Sequence, residues 1–217
     1  MTTERKCYGQ LCPMATALDV VGERWTLLLL RELLGGPARF NALLDGLPGI
    51  PRNLLATRLR RLEHDGVVRR VSTGGTAQYA LTEHGAAIRP TLEALGFWGA
   101  RQQRVGPAVH PRSIRAIAMA LQAVLARSPS ACAAEPTEVE LAVEGETVEI
   151  HLGPRPTAAA RSSMGARARL AVTAETMADY LAGRPVDSAT FELRSGDASA
   201  RAVLLDALSV QTDGQSC

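Results

Sequence analysis

Leu55, Leu59 and Leu62 recur at i, i+4 and i+7 in a segment that opens at Pro51 and stops before Gly66, and two short extended runs meeting at Gly74-Gly75 follow at once. A leucine stripe of this period is the buried face of an amphipathic helix. Proline suits a first helical turn, and glycine can take the left-handed conformation that closes the last one. The extended runs, Val67 to Val71 and Ala77 to Leu81, flank Ser72-Thr73-Gly74-Gly75-Thr76, and Gly-Gly in that place is a hairpin signal. Upstream, Pro13 opens a helix with Ala17, Leu18 and Val21 on its apolar face, ended by Gly22. A second helix is expected over about Arg24 to Leu34, with Trp25, Leu28, Leu29 and Leu33 as its stripe, and a short third over Phe40 to Leu44. Trp25 and Phe40 read as core residues. Thr82 caps a further helix toward Arg101, which Pro90 should kink or split.

Helices followed at once by a hairpin are the order of a winged helix-turn-helix, in which one helix enters the major groove of DNA and the hairpin reaches an adjacent groove or phosphate. Charge agrees with this reading. Residues 1–105 carry 14 Lys and Arg against 9 Asp and Glu, a net of +5, whereas residues 106–217 carry 10 against 13, a net of −3. Between Ile50 and Ala80 stand Arg52, Arg58, Arg60, Arg61, Arg69 and Arg70, with only Glu63 and Asp65 to oppose them. Such an excess is what a phosphate-contacting surface needs. Arg52, Asn53, Thr57 and Arg60 lie opposite the leucine stripe and are the leading candidates for base contacts, because Asn pairs bidentately with adenine and Arg with guanine. Arg61, Arg39, Arg69, Arg70 and Gln78 complete the expected DNA-binding set. Arg58 and Arg61 lie nearer the helix flank, where pairing with Glu63 or Asp65 is an alternative.

Residues 105–113, Val105-Gly106-Pro107-Ala108-Val109-His110-Pro111-Arg112-Ser113, read as a linker, so two domains are expected, 1–105 and 106–217. In the second, Ile114 to Ala126 has a strong helical pattern. Glu138 to Leu152 alternates apolar and charged residues on either side of Gly145, which reads as a hairpin. Arg167 to Val172 is a further strand, and Ala174 to Gly183 and Ala198 to Leu208 are helices. The whole chain is therefore α+β. His110 and His151 lack a sequence pattern of carboxylate and nucleophile, no glycine-rich phosphate loop occurs, and the four cysteines do not stand at zinc-site spacings. Neither an enzyme nor a metal or cofactor site is expected. Apolar runs such as Leu27 to Leu30 are too short to span a bilayer and the N-terminus has no signal-peptide pattern, so the expected location is the cytoplasm, with no membrane partner.

Several ordered blocks then become recognisable. Cys12-Pro13, Ala17 to Leu33 with its Gly22-Glu23-Arg24-Trp25-Thr26-Leu27-Leu28 centre, Gly36-Pro37-Ala38-Arg39-Phe40-Asn41, Leu47-Pro48-Gly49-Ile50, Leu59 to Gly66, and Tyr79-Ala80-Leu81-Thr82-Glu83-His84-Gly85 together resemble the HxlR-type regulators. The resemblance covers about residues 1–105. It implies a transcription regulator that binds a pseudo-palindromic operator in double-stranded DNA as a homodimer built by the first and last helices of the module. The wing here is shorter and lacks the proline-containing segment common in the family. The Cys12-Pro13 position is one at which several such regulators sense oxidants or electrophiles, which makes Cys12 a redox-sensing candidate with Cys7 as its resolving partner. The alternative role for Cys12 is a small capping or buried residue. The element order of residues 110–210 resembles the sterol-carrier-protein-like domain that some HxlR-type regulators carry. Such a domain holds apolar ligands between a curved sheet and its helices, which implies a repressor answering to a small apolar or aromatic effector. A brace that only packs is the alternative for this half, and a ligand carrier or enzyme with the winged helix as scaffold is the alternative for the whole.

Overall fold

In the computed structural model, which describes residues 7–100, 113–181 and 184–209, the chain divides into two units, Met1–Arg89 and Pro90–Cys217. Most of the expected linker, with His110, and also Cys217 lie outside the described residues.

The first unit runs α1 (Pro13–Val21), α2 (Thr26–Leu34), α3 (Phe40–Gly46), α4 (Arg52–His64), β1 (Val68–Thr73), β2 (Thr76–Leu81) and α5 (Glu83–Ala86). Leu55, Leu59 and Leu62 are all buried, as are Leu29, Leu30, Leu33, Leu43 and Leu47. Helix α4 begins one residue later than expected, with Pro51 in extended conformation as its N-cap. Its far end is closed by a Schellman arrangement. Val67 N–H donates to Leu62 O at 2.9 Å and Gly66 N–H to Glu63 O at 3.2 Å, with Gly66 at φ +70°. Because Val67 and Leu62 are both buried, the polypeptide leaves the helix straight into the first wing strand. The two strands pair antiparallel from Val68↔Leu81 to Thr73↔Thr76, and Gly74 and Gly75 both take positive φ in the turn.

Helix α2 departs from the expected stripe. Trp25 is the N-cap, at φ +79°, rather than the first apolar residue of the helix, and Leu28 is exposed. The buried face is Thr26, Leu29, Leu30 and Leu33, together with Glu32. The shift follows from the cap: once Trp25 lies outside the helix it no longer sets the phase of the stripe. Phe40 is likewise half-buried rather than in the core. Pro90 does split the last helical segment. Thr82 Oγ1 accepts from Gly85 N–H at the start of α5, and a new helix, α6 (Arg89–Ala100), takes Pro90 in its first turn.

The second unit continues with α7 (Ile114–Leu125), α8 (Pro129–Ala133), β3 (Thr137–Val143), β4 (Glu146–Leu152), β5 (Thr157–Ala159), β6 (Ala168–Val172), α9 (Ala174–Leu181), a 3-10 turn (Ser188–Thr190), β7 (Glu192–Gly196) and α10 (Ala198–Ser209). Its five strands lie in the order β5-β4-β3-β6-β7, with β3 and β6 parallel and the other neighbours antiparallel. Val139, Leu141, Val143, Val148, Ile150 and Leu152 alternate onto one face, where they join Ile117, Leu121 and Leu125 of α7 and Leu204 and Leu208 of α10. Tyr180 is buried there, edge-on to Phe191. Its hydroxyl donates to Leu208 O at 2.6 Å, and burial pushes its ionisation above the ordinary phenol range. The short edge strand β5 is covered by an amide: Gln122 Oε1 accepts from Ala158 N–H at 2.8 Å, and its Nε2 donates to Pro156 O at 3.1 Å.

The charged residues of the hairpin take the other face. Glu140 is cross-strand from Glu149, a like-charged pair that costs stability unless each carboxylate is matched. Burial alone would raise the Glu140 carboxyl, but hydrogen bonds from Ser162 Oγ and Ser163 N–H and the charge of Arg169 outweigh it and leave it below the usual range. Hydrogen bonding from Arg161 is the largest influence on Glu149, which is also held low. Carboxyls depressed in the folded state stabilise it above their unfolded value, and that contribution is lost as pH falls through and below about 4.5. The second unit should therefore show a lower urea midpoint at pH 4 than at pH 7, and Glu149→Gln should flatten that dependence. A midpoint in the variant that still falls as steeply with pH would contradict this account.

Candidate nucleic-acid interface

Helix α4 presents Arg52, Asn53 and Arg60 to solvent, with Thr57 half-buried between them. Spacings of four and three residues put Asn53, Thr57 and Arg60 along one side. Thr57 Oγ1 donates to Asn53 O at 3.0 Å and accepts from Arg60 Nη2 at 3.1 Å, so the Arg60 guanidinium lies along the helix rather than swinging free. Asn53 Oδ1 accepts from Leu54 N–H at 2.9 Å in the first turn. Arg52 Nη2 donates to Asn41 Oδ1 at 2.9 Å, and its guanidinium carbon lies 5.0 Å above the centre of the Phe40 ring. That support from α3 was not legible in the sequence, because Asn41 and Arg52 share no periodicity.

Arg58 and Arg61 occupy the flank. Both form ion pairs with Glu23, between α1 and α2, while Glu63 takes Arg70 at 2.9 Å. Of the two expected alternative partners, Glu63 and Asp65, Glu63 is engaged by Arg70 instead, and the pairing with Glu23 arises because α4 turns this flank toward the α1–α2 corner. Burial, followed by the nearby charge of Arg61, lowers the Arg58 guanidinium from its ordinary value.

On the wing, Arg69 is exposed and Gln78 is half-buried opposite Val71. Arg70 lies over Tyr79 at 5.5 Å. Arg39, the N-cap of α3, reaches Thr76 Oγ1 at 3.4 Å. Just before it, Ala38 and Tyr79 exchange backbone hydrogen bonds of 2.9 and 2.8 Å, a one-residue addition to the sheet that ties the wing to the start of α3. Of the expected residues, Asn53, Thr57 and Arg60 thus share one side of α4, and Arg52, exposed in its first turn, leans toward α3. Arg39, Arg69, Arg70 and Gln78 belong to the wing and its root, and Arg61 is drawn to Glu23.

The two N-terminal cysteines are apart in role. Cys12 is the half-buried N-cap of α1 and makes no side-chain capping bond. Cys7 donates its thiol proton to Asp19 Oδ2 at 3.1 Å, and Tyr8 N–H donates to the other oxygen of the same carboxylate at 3.1 Å. In the second unit, His151 has two carboxylate neighbours, of which one, Glu138, was concealed by its linear context. It contacts Glu149 and stands cross-strand from Glu138, and the three residues bring ligand-type atoms within 4.8 Å of one another. Arg161 also binds Glu149, and Ser163 Oγ donates to Glu138. Among the described residues no helix is long and apolar enough to cross a membrane.

A helix with an exposed arginine- and amide-bearing side, closed directly into a two-stranded wing, defines a winged helix-turn-helix module. Residues 20–106 match the HxlR-like helix-turn-helix family. The HTH-type regulator sll1512 of Synechocystis is 38% identical over 90 residues, covering 40% of this chain and 67% of its own length. The regulator YodB of Bacillus subtilis is 34% identical over 92 residues, covering 41% of this chain and 82% of its own. The crystal structure of quinone-bound YodB covers 41% of this chain and 97% of that one at 33% identity, with a TM-score of 0.37. The chain belongs to the HxlR-like helix-turn-helix family.

Proposed function

We propose that the protein is a DNA-binding transcription regulator, acting as a repressor, that reads a pseudo-palindromic operator as a homodimer. The observation that carries this reading is the exposed surface of α4, with Asn53, Thr57 and Arg60 opposite a leucine stripe that is wholly buried and Arg52 exposed in the first turn beside them. These side chains are the base-reading set, and Arg39, Arg69, Arg70 and Gln78 serve the phosphates and the wing groove. Exposed Leu11, Met14 and Leu18 on and beside α1, and exposed Leu95 and Trp98 on α6, are apolar surface that a homodimer built by these helices would cover. The half after the linker is a sterol-carrier-like effector domain, a reading that its sheet with helices on one face supports, and its effector is a small apolar or aromatic molecule. An effector acts only by binding one arrangement of the two recognition helices better than another.

Gel-shift assays on the DNA upstream of the protein's own gene and its neighbours, with and without apolar ligands, test the reading. A discrete complex weakened by a ligand supports it. Weak binding with no preference among fragments favours a carrier or enzyme that uses the module as scaffold.

The half-exposed thiol of Cys12 favours a second reading, in which quinones or hypochlorite are the signal. The related YodB has a quinone-bound structure, and Cys12 is the residue that would meet the same class of electrophile here. Cys12→Ser should then leave operator affinity unchanged and abolish its loss on treatment with benzoquinone. A variant that still releases DNA on treatment removes this reading.

A further inference from the structure

One short stretch, Ala38 to Asn41, touches both elements that face the proposed DNA. Ala38 is bonded through its backbone to Tyr79 of the wing, and Arg39 reaches Thr76 at the wing turn. Phe40 lies under the Arg52 guanidinium, and Asn41 Oδ1 accepts from its Nη2 at 2.9 Å. An unsupported arginine on a helix surface carries about 2 kcal/mol of rotamer entropy, much of which it loses when it docks. Here a ring face and an amide oxygen already restrict it. The bond to Asn41 uses one of five N–H donors, so most of the planar fork is left for a second partner. The acceptor pair that such a fork matches on a base edge is O6 and N7 of guanine.

We infer that Asn41 and Phe40 are positioning residues for Arg52, and that together they set a preference for guanine at one position of each half-site. The inference rests on the DNA-binding reading above. Asn41 and Phe40 need not touch DNA. They act by holding Arg52 in the orientation it uses there. The other arginines of α4 lack this arrangement: Arg60 is held by Thr57 of its own helix, and Arg58 and Arg61 are drawn to Glu23.

The test is selection of preferred duplexes from a random pool by the full-length protein, followed by competition binding at each half-site position. It is run on the wild type, Arg52→Ala, Asn53→Ala, Asn41→Ala, Asn41→Asp, Phe40→Leu and the Asn41→Ala/Arg52→Ala double variant. Arg52→Ala should erase the guanine preference at one position. Asn41→Ala and Phe40→Leu should each weaken it about tenfold at that position alone, with the other positions and the melting temperature unchanged. The double variant should be no worse than Arg52→Ala. Asn41→Asp keeps an acceptor at the same reach, so it should retain the guanine preference even where its charge lowers overall affinity. The inference is overturned if Asn41→Ala and Phe40→Leu keep the wild-type preference, weaken all sequences equally, or add their effect to that of Arg52→Ala. If Arg52→Ala leaves the preference intact while Asn53→Ala changes it, this inference fails and the DNA-binding reading stands. If the wild type shows no preference at all, both fall.

Discussion

Replacing Asn53 and Arg60 together by alanine should cost about 2–6 kcal/mol of specific DNA binding, since a well-formed side-chain-to-base pair contributes about 1–3 kcal/mol of discrimination. At the centre of that range, affinity for the preferred duplex falls by roughly three orders of magnitude. The protein itself should barely notice. Both side chains are exposed, and their bonds are made within one helix, Asn53 to Leu54 and Arg60 to Thr57. Surface changes of this kind shift stability by about 0.5 kcal/mol or less. Binding to unrelated duplex should survive in salt-dependent form, because Arg39, Arg69 and Arg70 still meet phosphate. Fluorescence anisotropy on the two duplexes separates these effects. Equal losses on both, or no loss on either, would mean that this side of α4 does not read bases.

The reverse pattern is expected of Leu59→Ala. Leu59 is only 1% exposed and lies midway along the stripe between Leu55 and Leu62. Truncating a buried leucine costs about 2–5 kcal/mol through lost transfer energy and the cavity left behind. In a unit of this size each kcal/mol shifts melting by about 4–8 °C, so the transition of the first unit should fall by about 8 °C or more. Operator binding should decline only as that unit unfolds, and well below the new midpoint it should match the wild type. A variant that melts normally yet fails to bind would place Leu59 at the interface instead of the core.

The contrast between these two variants is also the contrast between what periodicity discloses and what it conceals. A stripe at i, i+4, i+7 reports which side of α4 is buried, and so which side is left for a partner. The Glu138–Leu152 alternation reports the β3–β4 hairpin in the same way, and Glu144 and Gly145 both adopt the positive φ its turn requires. Periodicity failed where one residue outside a helix shifted the phase, as Trp25 did for Leu28. It was silent on β7, whose residues are exposed throughout and leave no alternation to find, and on the three-residue β5. It was also silent on pairings across long separations. Glu23 gathers Arg58 and Arg61, Asn41 supports Arg52, and His151 meets Glu138 only because two strands are in register. Each of these depends on tertiary placement, which a charge count along the chain does not contain.

The central claim, that the exposed side of α4 reads a dyad in duplex DNA, is tested most directly by the ratio of specific to non-specific affinity in the full-length protein. The duplex recovered by selection is competed against a scrambled duplex of the same length, over a series of salt concentrations. The expected result is a selected sequence with two-fold symmetry, affinities for both duplexes that fall steeply with salt, and a specificity ratio of about a thousand or more. A ratio near one, with no symmetric sequence recovered, would contradict it.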